Sequence, residues 1–318
     1  MQNINQKLIR PKAIHPGATL GVVCPSKWAP EDEILSIGKM YEERGYKILY
    51  GNTPFLRDHQ FAGSPNQRAQ DIEKMFADPD VDAIVCARGG YGANRVIPLL
   101  NYELIRKNPK IFMGYSDITM LLHSMNQQSG LVTFHGPMFV SYKPEFVPYN
   151  WENWENVISG KSPLTLTNPS DLPPRVLKPG KASGPFTGGN VTLVANRLGT
   201  PRQINCDGAI LMLEDIHEYL YAFDRYLVHL RQSGSLENIK GLLVGELVDM
   251  QDEDIPFGKT TDEIIMDVFG DMDIPIVSNV ACGHGQYQMT LPIGHPCEID
   301  ATETLFSIKF HESPVSPN

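Results

Sequence analysis

One serine stands where the chain turns from a predicted buried strand into an amphipathic helix, in the sequence Gly114-Tyr115-Ser116-Asp117. A serine on such a turn can hold its hydroxyl at the edge of a sheet beside a helix N-terminus, which is the geometry of a nucleophile elbow. The small Gly114 would relieve crowding across the turn, although Ile118 stands where the G-x-S-x-G pattern has its last glycine. The alternative is that Ser116 or Asp117 only caps the helix.

A serine nucleophile needs a base, and usually an acid that orients the base. His284 is a candidate base, because the glycines on both sides of it permit unusual backbone angles and close approach of a substrate. His135, at the end of another predicted strand, is a rival. Glu214 and Asp215 are candidate acids after the buried run GAILML, and strand alternation alone does not choose between them, since they point opposite ways.

A glycine-rich loop, Arg-Gly-Gly-Tyr-Gly at 88–92, follows another predicted strand. It fails the G-x-G-x-x-G pattern of a phosphate-binding loop, because Arg95 occupies the sixth position counted from Gly90. A second use is an oxyanion hole, in which a glycine N–H is paired with the N–H of the residue after the nucleophile. A plain tight turn is the third interpretation.

The elements that must position these residues alternate along the first 140 residues, where short apolar runs are separated by amphipathic stretches. This pattern predicts βαβ units and a mainly parallel sheet, which places ligands at the carboxyl ends of its strands. Residues 142 to about 185 contain eight prolines and predict a linker with one short helix at 151–158. Strands and helices alternate again after it, and the last, 305–310, is predicted to be an edge strand.

Composition excludes several classes of protein. The 318 residues include 27 basic and 37 acidic side chains, and the net charge of −10 argues against a protein that tracks nucleic-acid phosphates. Hydrophobic residues make up 42% of the chain, which is enough for real cores and excludes wholesale disorder. The 27 glycines and 25 prolines have no periodic spacing and indicate many tight turns.

Five cysteines without any C-x-x-C pair predict buried free thiols in a reducing compartment, not disulfides or a zinc site. His217-Glu218 also lacks the second histidine of a metal-binding helix, because Tyr221 occupies that position. The N-terminus has no apolar region typical of a secretory signal, and no apolar stretch approaches the length of a membrane helix. We therefore expect a cytoplasmic protein without a metal, cofactor, membrane or nucleic-acid partner.

Several segments taken together resemble the LD-carboxypeptidase family of serine peptidases, family S66. The family includes murein tetrapeptide carboxypeptidases and microcin-C self-immunity peptidases. The segments follow the family's order over most of the chain, which makes the resemblance far more specific than any single motif. They are RGGYGANR (88–95), GYSDIT (114–119), TFHGPM (133–138), TGGN (187–190), LEDIHE (213–218), GHG (283–285) and TLPIG (290–294).

The resemblance implies a catalytic triad of Ser116, Glu214 and His284, with Glu214 as the acid. It implies an oxyanion hole formed by the backbone N–H groups of Gly90 and Asp117. It also implies an N-terminal doubly wound parallel-sheet α/β domain with a nucleophile elbow, assigned with its linker to residues 1–165. A smaller β-rich α/β domain at 166–318 would supply the other two triad residues. Members of the family are commonly homodimers.

The activity implied is hydrolysis of the bond between an L-centre of diaminopimelate or lysine and the terminal D-Ala of a muropeptide, during peptidoglycan recycling. The loop at 88–92 and the segment at 213–218 look like those of the murein-recycling members. Microcin-immunity members, which cleave peptidyl-nucleotides or aminoacyl-nucleotides, tend to carry a tryptophan-bearing insertion, whereas no tryptophan follows Trp154 here. A catalytically silent ligand-binding protein is a third hypothesis. Arg88 is a candidate for binding the substrate's terminal carboxylate, and a structural ion pair is its alternative role.

Overall fold

The computed structural model describes residues 7–141, 147–302 and 305–317, which form two compact units. Unit 1 comprises Met1–Ser162, Thr290–His295 and Ser313–Asn318, and unit 2 comprises Pro163–Met289 and Pro296–Glu312. All residues after 165 were expected to form one domain. Two short C-terminal segments belong to unit 1 instead, and one of them adds a strand to the sheet of that unit.

Helices and strands alternate through most of the described residues. The helices are α1 (Glu31–Glu43), α2 (Pro65–Ala77), α3 (Ala93–Val96), α4 (Tyr102–Lys107), α5 (Thr119–Ser129), α6 (Pro148–Ile158), α7 (Val191–Asn196), α8 (Leu220–Gln232) and α9 (Thr261–Phe269). The strands are β1 (Thr19–Val23), β2 (Lys47–Tyr50), β3 (Ala83–Cys86), β4 (Ile111–Gly114), β5 (Thr133–His135), β6 (Leu164–Leu166), β7 (Arg175–Lys178), β8 (Gly180–Asn190), β9 (Ile210–Ile216), β10 (Gly241–Val248), β11 (Ile276–Gly283), β12 (Leu291–Ile293), β13 (Pro296–Ala301) and β14 (Phe306–Phe310). Within the described part of the chain, no helix has the length and apolar character needed to cross a bilayer.

Unit 1 is built on a six-stranded sheet in the order β12-β5-β4-β3-β1-β2. Strands β1 to β5 are parallel, and β12 pairs antiparallel with β5 at one edge. Strands β3 and β4 are buried throughout, as expected for a sheet covered on both faces. The predicted parallel-sheet domain is therefore confirmed, and the loops that follow β1, β3 and β4 lie at the same edge of this sheet.

Unit 2 contains an eight-stranded mixed sheet in the order β6-β14-β13-β8-β9-β10-β11-β7. The central strands β8 to β11 are parallel, and antiparallel strands flank them on both sides. Apolar side chains of the parallel strands and of α7, α8 and α9 form its core. This architecture confirms the predicted β-rich second domain.

Two predictions about secondary structure were wrong. The proline-rich stretch was expected to be a linker with one short helix at 151–158. The helix is present as α6 in unit 1, but β6, β7 and most of β8 in unit 2 take the place of the linker, while 142–146 lie outside the described residues. The predicted edge strand at 305–310 is an inner strand, because β14 pairs with both β13 and β6. The prolines lie mainly at the ends of short strands. These strands pair with strands that are distant in the sequence.

A buried arginine joins three loops of unit 1. Arg68 lies in α2 and is only 1% exposed. Its guanidinium donates hydrogen bonds to the carbonyl oxygens of Gly63 (3.1 Å), Pro25 (2.6 Å) and Gly92 (3.0 Å). Arg68 thus connects the loop after β1 with the glycine-rich loop after β3.

Replacing Arg68 with methionine is expected to destabilise the protein by about 3 kcal/mol or more, because it leaves three carbonyl groups without their charged donor. Urea unfolding at neutral pH measures the change. Arg106→Met is the matched control, because Arg106 is exposed and only joins a surface ion pair with Glu103 at 3.1 Å, so its loss should cost at most about 1 kcal/mol. Equal effects of the two variants would contradict the role assigned to Arg68.

Candidate active site

Ser116 lies on a strained turn between β4 and α5. Its backbone has φ 58°, in the left-handed region that a residue with a side chain rarely adopts. A single turn of 3₁₀-helix over Ser116–Ile118 leads directly into α5, and its N-cap position is Tyr115, which makes no side-chain cap. A strained serine between a strand and a helix has the geometry of a nucleophile elbow.

The departure from the usual elbow pattern has a structural explanation. A Cβ atom on Gly114 would lie 2.8 Å from Cγ2 of Ile118, closer than such atoms approach. The missing side chain of Gly114 therefore provides the room that Ile118 occupies. The turn tolerates a branched residue two positions after Ser116 because the glycine two positions before it is retained.

The glycine-rich loop packs against this turn within unit 1. A Cβ atom on Gly89 would lie 3.1 Å from Cβ of Ser116 and 3.4 Å from the backbone nitrogen of Asp117. Gly90 has φ 104°, a conformation open to glycine. Gly90 therefore directly follows the residue, Gly89, that lies against Ser116. Arg88, the first residue of the loop, donates from Nη1 to the carbonyl oxygen of Trp28 at 3.2 Å.

Asp117 uses its carboxylate to join the loops around Ser116. The side chain is 2% exposed, and Oδ2 accepts hydrogen bonds from Ser26 Oγ (2.6 Å) and from the backbone N–H of Ala93 (2.8 Å). Burial raises the pKa of Asp117, and these two hydrogen bonds partly oppose the rise. Sequence reasoning missed this role and that of Ser26, because only their places after β4 and β1 pointed to the site.

Unit 2 brings together the two other residues implied for the triad. Nδ1 of His284 lies 2.7 Å from Oε2 of Glu214, and the Glu214 side chain is fully buried. Burial of the imidazole disfavours its charged form, but the neighbouring Glu214 carboxylate outweighs this effect and raises the pKa of His284 above its ordinary value. A buried carboxylate in this position orients the ring and stabilises an imidazolium.

Two glycines make room for Glu214. A Cβ atom on Gly283, which has φ 99°, would lie 2.7 Å from Oε2 of Glu214. A Cβ atom on Gly245, in the neighbouring strand β10, would lie 3.0 Å from Cβ of Glu214. The glycine before His284 therefore has a definite use, since it lets the carboxylate reach the imidazole.

Asp215, the other candidate acid, has a different role. Its carboxylate accepts hydrogen bonds from Asn190 Nδ2 (2.8 Å) and from the backbone N–H (3.1 Å) and Oγ1 (2.8 Å) of Thr192. These contacts hold the start of α7 against the end of β9. The two adjacent carboxylates thus point to opposite sides of the strand, one to the histidine and one to a helix terminus.

The two other histidines singled out in the sequence, His135 and His217, lie at the ends of β5 and β9. His135 is buried in β5 of unit 1, with its ring centroid 6.0 Å from that of Tyr115. His217 is exposed after β9, and its Nδ1 is 3.7 Å from Oδ2 of Asp249. The exposed pair of His217 and Asp249 contrasts with His284, whose partner Glu214 is fully buried.

Comparison with known proteins agrees with this fold. The family model for the LD-carboxypeptidase N-terminal domain matches residues 20–136, and that for the LD-carboxypeptidase C-terminal domain matches residues 183–299. The chain belongs to the LD-carboxypeptidases, peptidase family S66. Among its relatives is a probable murein peptide carboxypeptidase of Bacillus subtilis, which is 33% identical over 309 residues that cover 92% of both chains.

Solved structures with the same fold include a microcin self-immunity protein and a muramoyltetrapeptide carboxypeptidase. The microcin C self-immunity protein MccF in complex with glutamyl sulfamoyl guanosine superposes with a TM-score of 0.89 at 24% identity, covering 96% of this chain and 99% of that one. A muramoyltetrapeptide carboxypeptidase from Oxalobacter formigenes superposes with a TM-score of 0.83 at 24% identity, covering 94% and 100%. At this identity, the likeness establishes the fold.

Proposed function

We propose that the protein is a serine-type LD-carboxypeptidase that removes the terminal D-Ala from murein tetrapeptides. The observation that carries this proposal is the 2.7 Å contact between His284 and the buried Glu214, because an imidazole held by a carboxylate is what a serine nucleophile requires. The substrate class is supported by the 33% identical relative from Bacillus subtilis, which is named a probable murein peptide carboxypeptidase.

In the proposed mechanism, the Ser116 hydroxyl oxygen attacks the carbonyl group of the L-centre, and His284 accepts the proton of that hydroxyl. Glu214 accepts a hydrogen bond from Nδ1 of the ring and stabilises the imidazolium that forms. The backbone N–H groups of Gly90 and Asp117 would stabilise the oxyanion, an effect typically worth about 3 kcal/mol per donor. His284 then protonates the leaving amine of D-Ala, and water releases the acyl group from Ser116.

Arg88 is the proposed partner of the terminal carboxylate of the substrate. It follows β3 at the start of the loop that packs against Ser116, and it is paired with a carbonyl oxygen at 3.2 Å. A guanidinium has five donors in a planar fork and can bind a carboxylate with two of them. Arg88→Lys would keep the charge and lose this fork.

We further propose that the enzyme acts in the cytoplasm as a homodimer during peptidoglycan recycling. All five cysteines are free and buried, which suits a reducing compartment. The homodimer rests on the family resemblance, and light scattering of the purified protein tests it. A monomer at micromolar concentration would remove that part of the proposal.

The test of function is incubation with disaccharide tetrapeptides that carry either diaminopimelate or lysine at the third position. We expect mass spectrometry to find the tripeptide product and free D-Ala. Tetrapeptides ending in L-Ala are the matched control and should not be cleaved. Turnover of an aminoacyl-nucleotide conjugate instead would assign the protein to the microcin-immunity activity, and no turnover of either substrate would favour a ligand-binding protein.

A further inference from the structure

A third carboxylate, that of Glu246, lies on the strand between the one that carries Glu214 and the one that leads into His284. Strand β10 lies between β9 and β11 in the sheet of unit 2. Near its carboxyl end, Glu246 is in register with Gly283, the residue before His284. The proposed mechanism gives Glu246 no role, although the side chain lies beside the turn that presents the histidine.

The contacts of Glu246 are with the backbone of that turn. Its carboxylate accepts a hydrogen bond from the backbone N–H of Tyr287. A Cβ atom on Gly285 would overlap both carboxylate oxygens. The two glycines that flank His284 therefore each make room for a carboxylate: Gly283 for Glu214 and Gly285 for Glu246.

One carboxylate oxygen of Glu246 also has an unused capacity to accept a hydrogen bond. Its Oε1 atom is buried and has no hydrogen-bond partner among the described residues. Burial raises the pKa of Glu246 to about 7, and the Tyr287 N–H opposes the rise. The charge on the carboxylate therefore changes in the neutral range.

We propose that Glu246 is a positioning residue whose ionised carboxylate holds the turn of residues 283–287 and so fixes His284 for reaction. A hydrogen bond from Tyr287 N–H to a carboxylate is stronger than one to a neutral carboxylic acid, so protonation of Glu246 loosens the turn. This inference rests on the proposed function only in that His284 is the base.

Other ionisable groups flank Glu246 on the elements packed against β10. Strand β9 contributes Glu214 and Asp215, and β11 with its following turn contributes Cys282, His284 and Tyr287. The Tyr287 hydroxyl donates to Asp171 and stays neutral in this range, since its pKa is raised above the ordinary tyrosine value.

The test compares kcat/KM of the wild type with that of Glu246→Gln across the neutral pH range. Glutamine keeps the shape and an acceptor oxygen but cannot ionise, so it mimics the protonated form. Protonation of His284 lowers both rates alike, so the ratio of the two isolates Glu246. We expect this ratio to rise from near one in acid to about tenfold in base, with its midpoint near the pKa of about 7.

Glu298→Gln is the matched control, because Glu298 lies in the same sheet but in β13, where it contacts His311 at 3.1 Å. The ratio of wild type to this variant should stay near one at every pH. A ratio that does not vary with pH for Glu246→Gln would overturn the proposal, because it would leave only a structural role. Thermal unfolding of each variant checks that the folded state persists.

A second readout does not depend on the substrate. With selective ¹⁵N-tyrosine labelling, the backbone amide proton of Tyr287, assigned with Tyr287→Phe, should shift with a midpoint near pH 7 in the wild type and not in Glu246→Gln. An amide that does not titrate would overturn the proposed contact. If the wild type cleaves no muropeptide but this amide titrates, the proposed function has failed while Glu246 still controls the turn.

Discussion

The Ser116→Ala variant is expected to lose turnover by a factor of about 10⁴ to 10⁶ in kcat. Alanine removes the hydroxyl oxygen that forms the acyl-enzyme in the proposed mechanism, and it leaves the turn and the glycine-rich loop in place. Folding should be unaffected, since alanine meets the same strain at φ 58° as serine does. Release of D-Ala from the tetrapeptide, measured by mass spectrometry over long incubations, gives the residual rate.

The same experiment tests whether Ser116 and His284 act as one unit. His284→Ala should cost about as much as Ser116→Ala, and the double variant should cost no more than either, because removing one member already disables the other. Ser36→Ala, at an exposed position of α1, is the control and should keep full activity. Substantial turnover by Ser116→Ala would end the claim that Ser116 is the nucleophile.

Replacing Glu214 with glutamine is expected to lower kcat by a factor of about 10⁴ with little loss of stability. An amide in this position no longer favours the tautomer and orientation of His284 that the reaction needs. The acid limb of the pH profile should also move to lower pH. Burial lowers the pKa of His284, and the Glu214 carboxylate raises it. Removing that negative charge therefore lowers the pKa of His284.

The neighbouring carboxylate provides the matched control. Asp215→Asn replaces an acceptor by an amide that can face the three donors of Asn190 and Thr192. We expect a loss of about 1 to 3 kcal/mol in the free energy of unfolding, with kcat reduced by less than tenfold. Equal losses of activity in Glu214→Gln and Asp215→Asn would mean that Asp215 also takes part in the reaction.

The difference between these two carboxylates shows where sequence reasoning stops. Periodicity located strand β9 and the buried run before Glu214, because local alternation reflects burial. It did not choose between Glu214 and Asp215, since the choice depends on which neighbour each meets. That neighbour is His284 for Glu214 and the start of α7 for Asp215, and both are distant in the sequence.

Other features of the site depend equally on distant contacts. The strand-to-helix turn at Ser116 was predicted from the sequence, although a helix cap remained the alternative and the strain at φ 58° was not predicted. The parallel sheet of unit 1 followed from the alternation of its elements. The bond between Asp117 and Ser26 was not foreseeable, because it joins two loops 91 positions apart. The position of Glu246 beneath Gly285 was also hidden, because alternating strands and helices predict parallel pairing of β10 with β11 but not the shifted register that brings Glu246 to Gly283.

The return of Leu291–Ile293 to the first sheet has a consequence for how the chain folds. This strand closes one edge by pairing with Thr133–His135, so neither unit is made from one continuous stretch of chain. During synthesis on the ribosome, the edge of β5 therefore stays unpaired until β12 has been made, when almost the whole protein has been synthesised. Such long-range pairing slows folding and leaves a strand edge exposed meanwhile. A fragment cut after residue 165 would keep that edge open permanently, and we expect it to aggregate where the full chain stays dispersed.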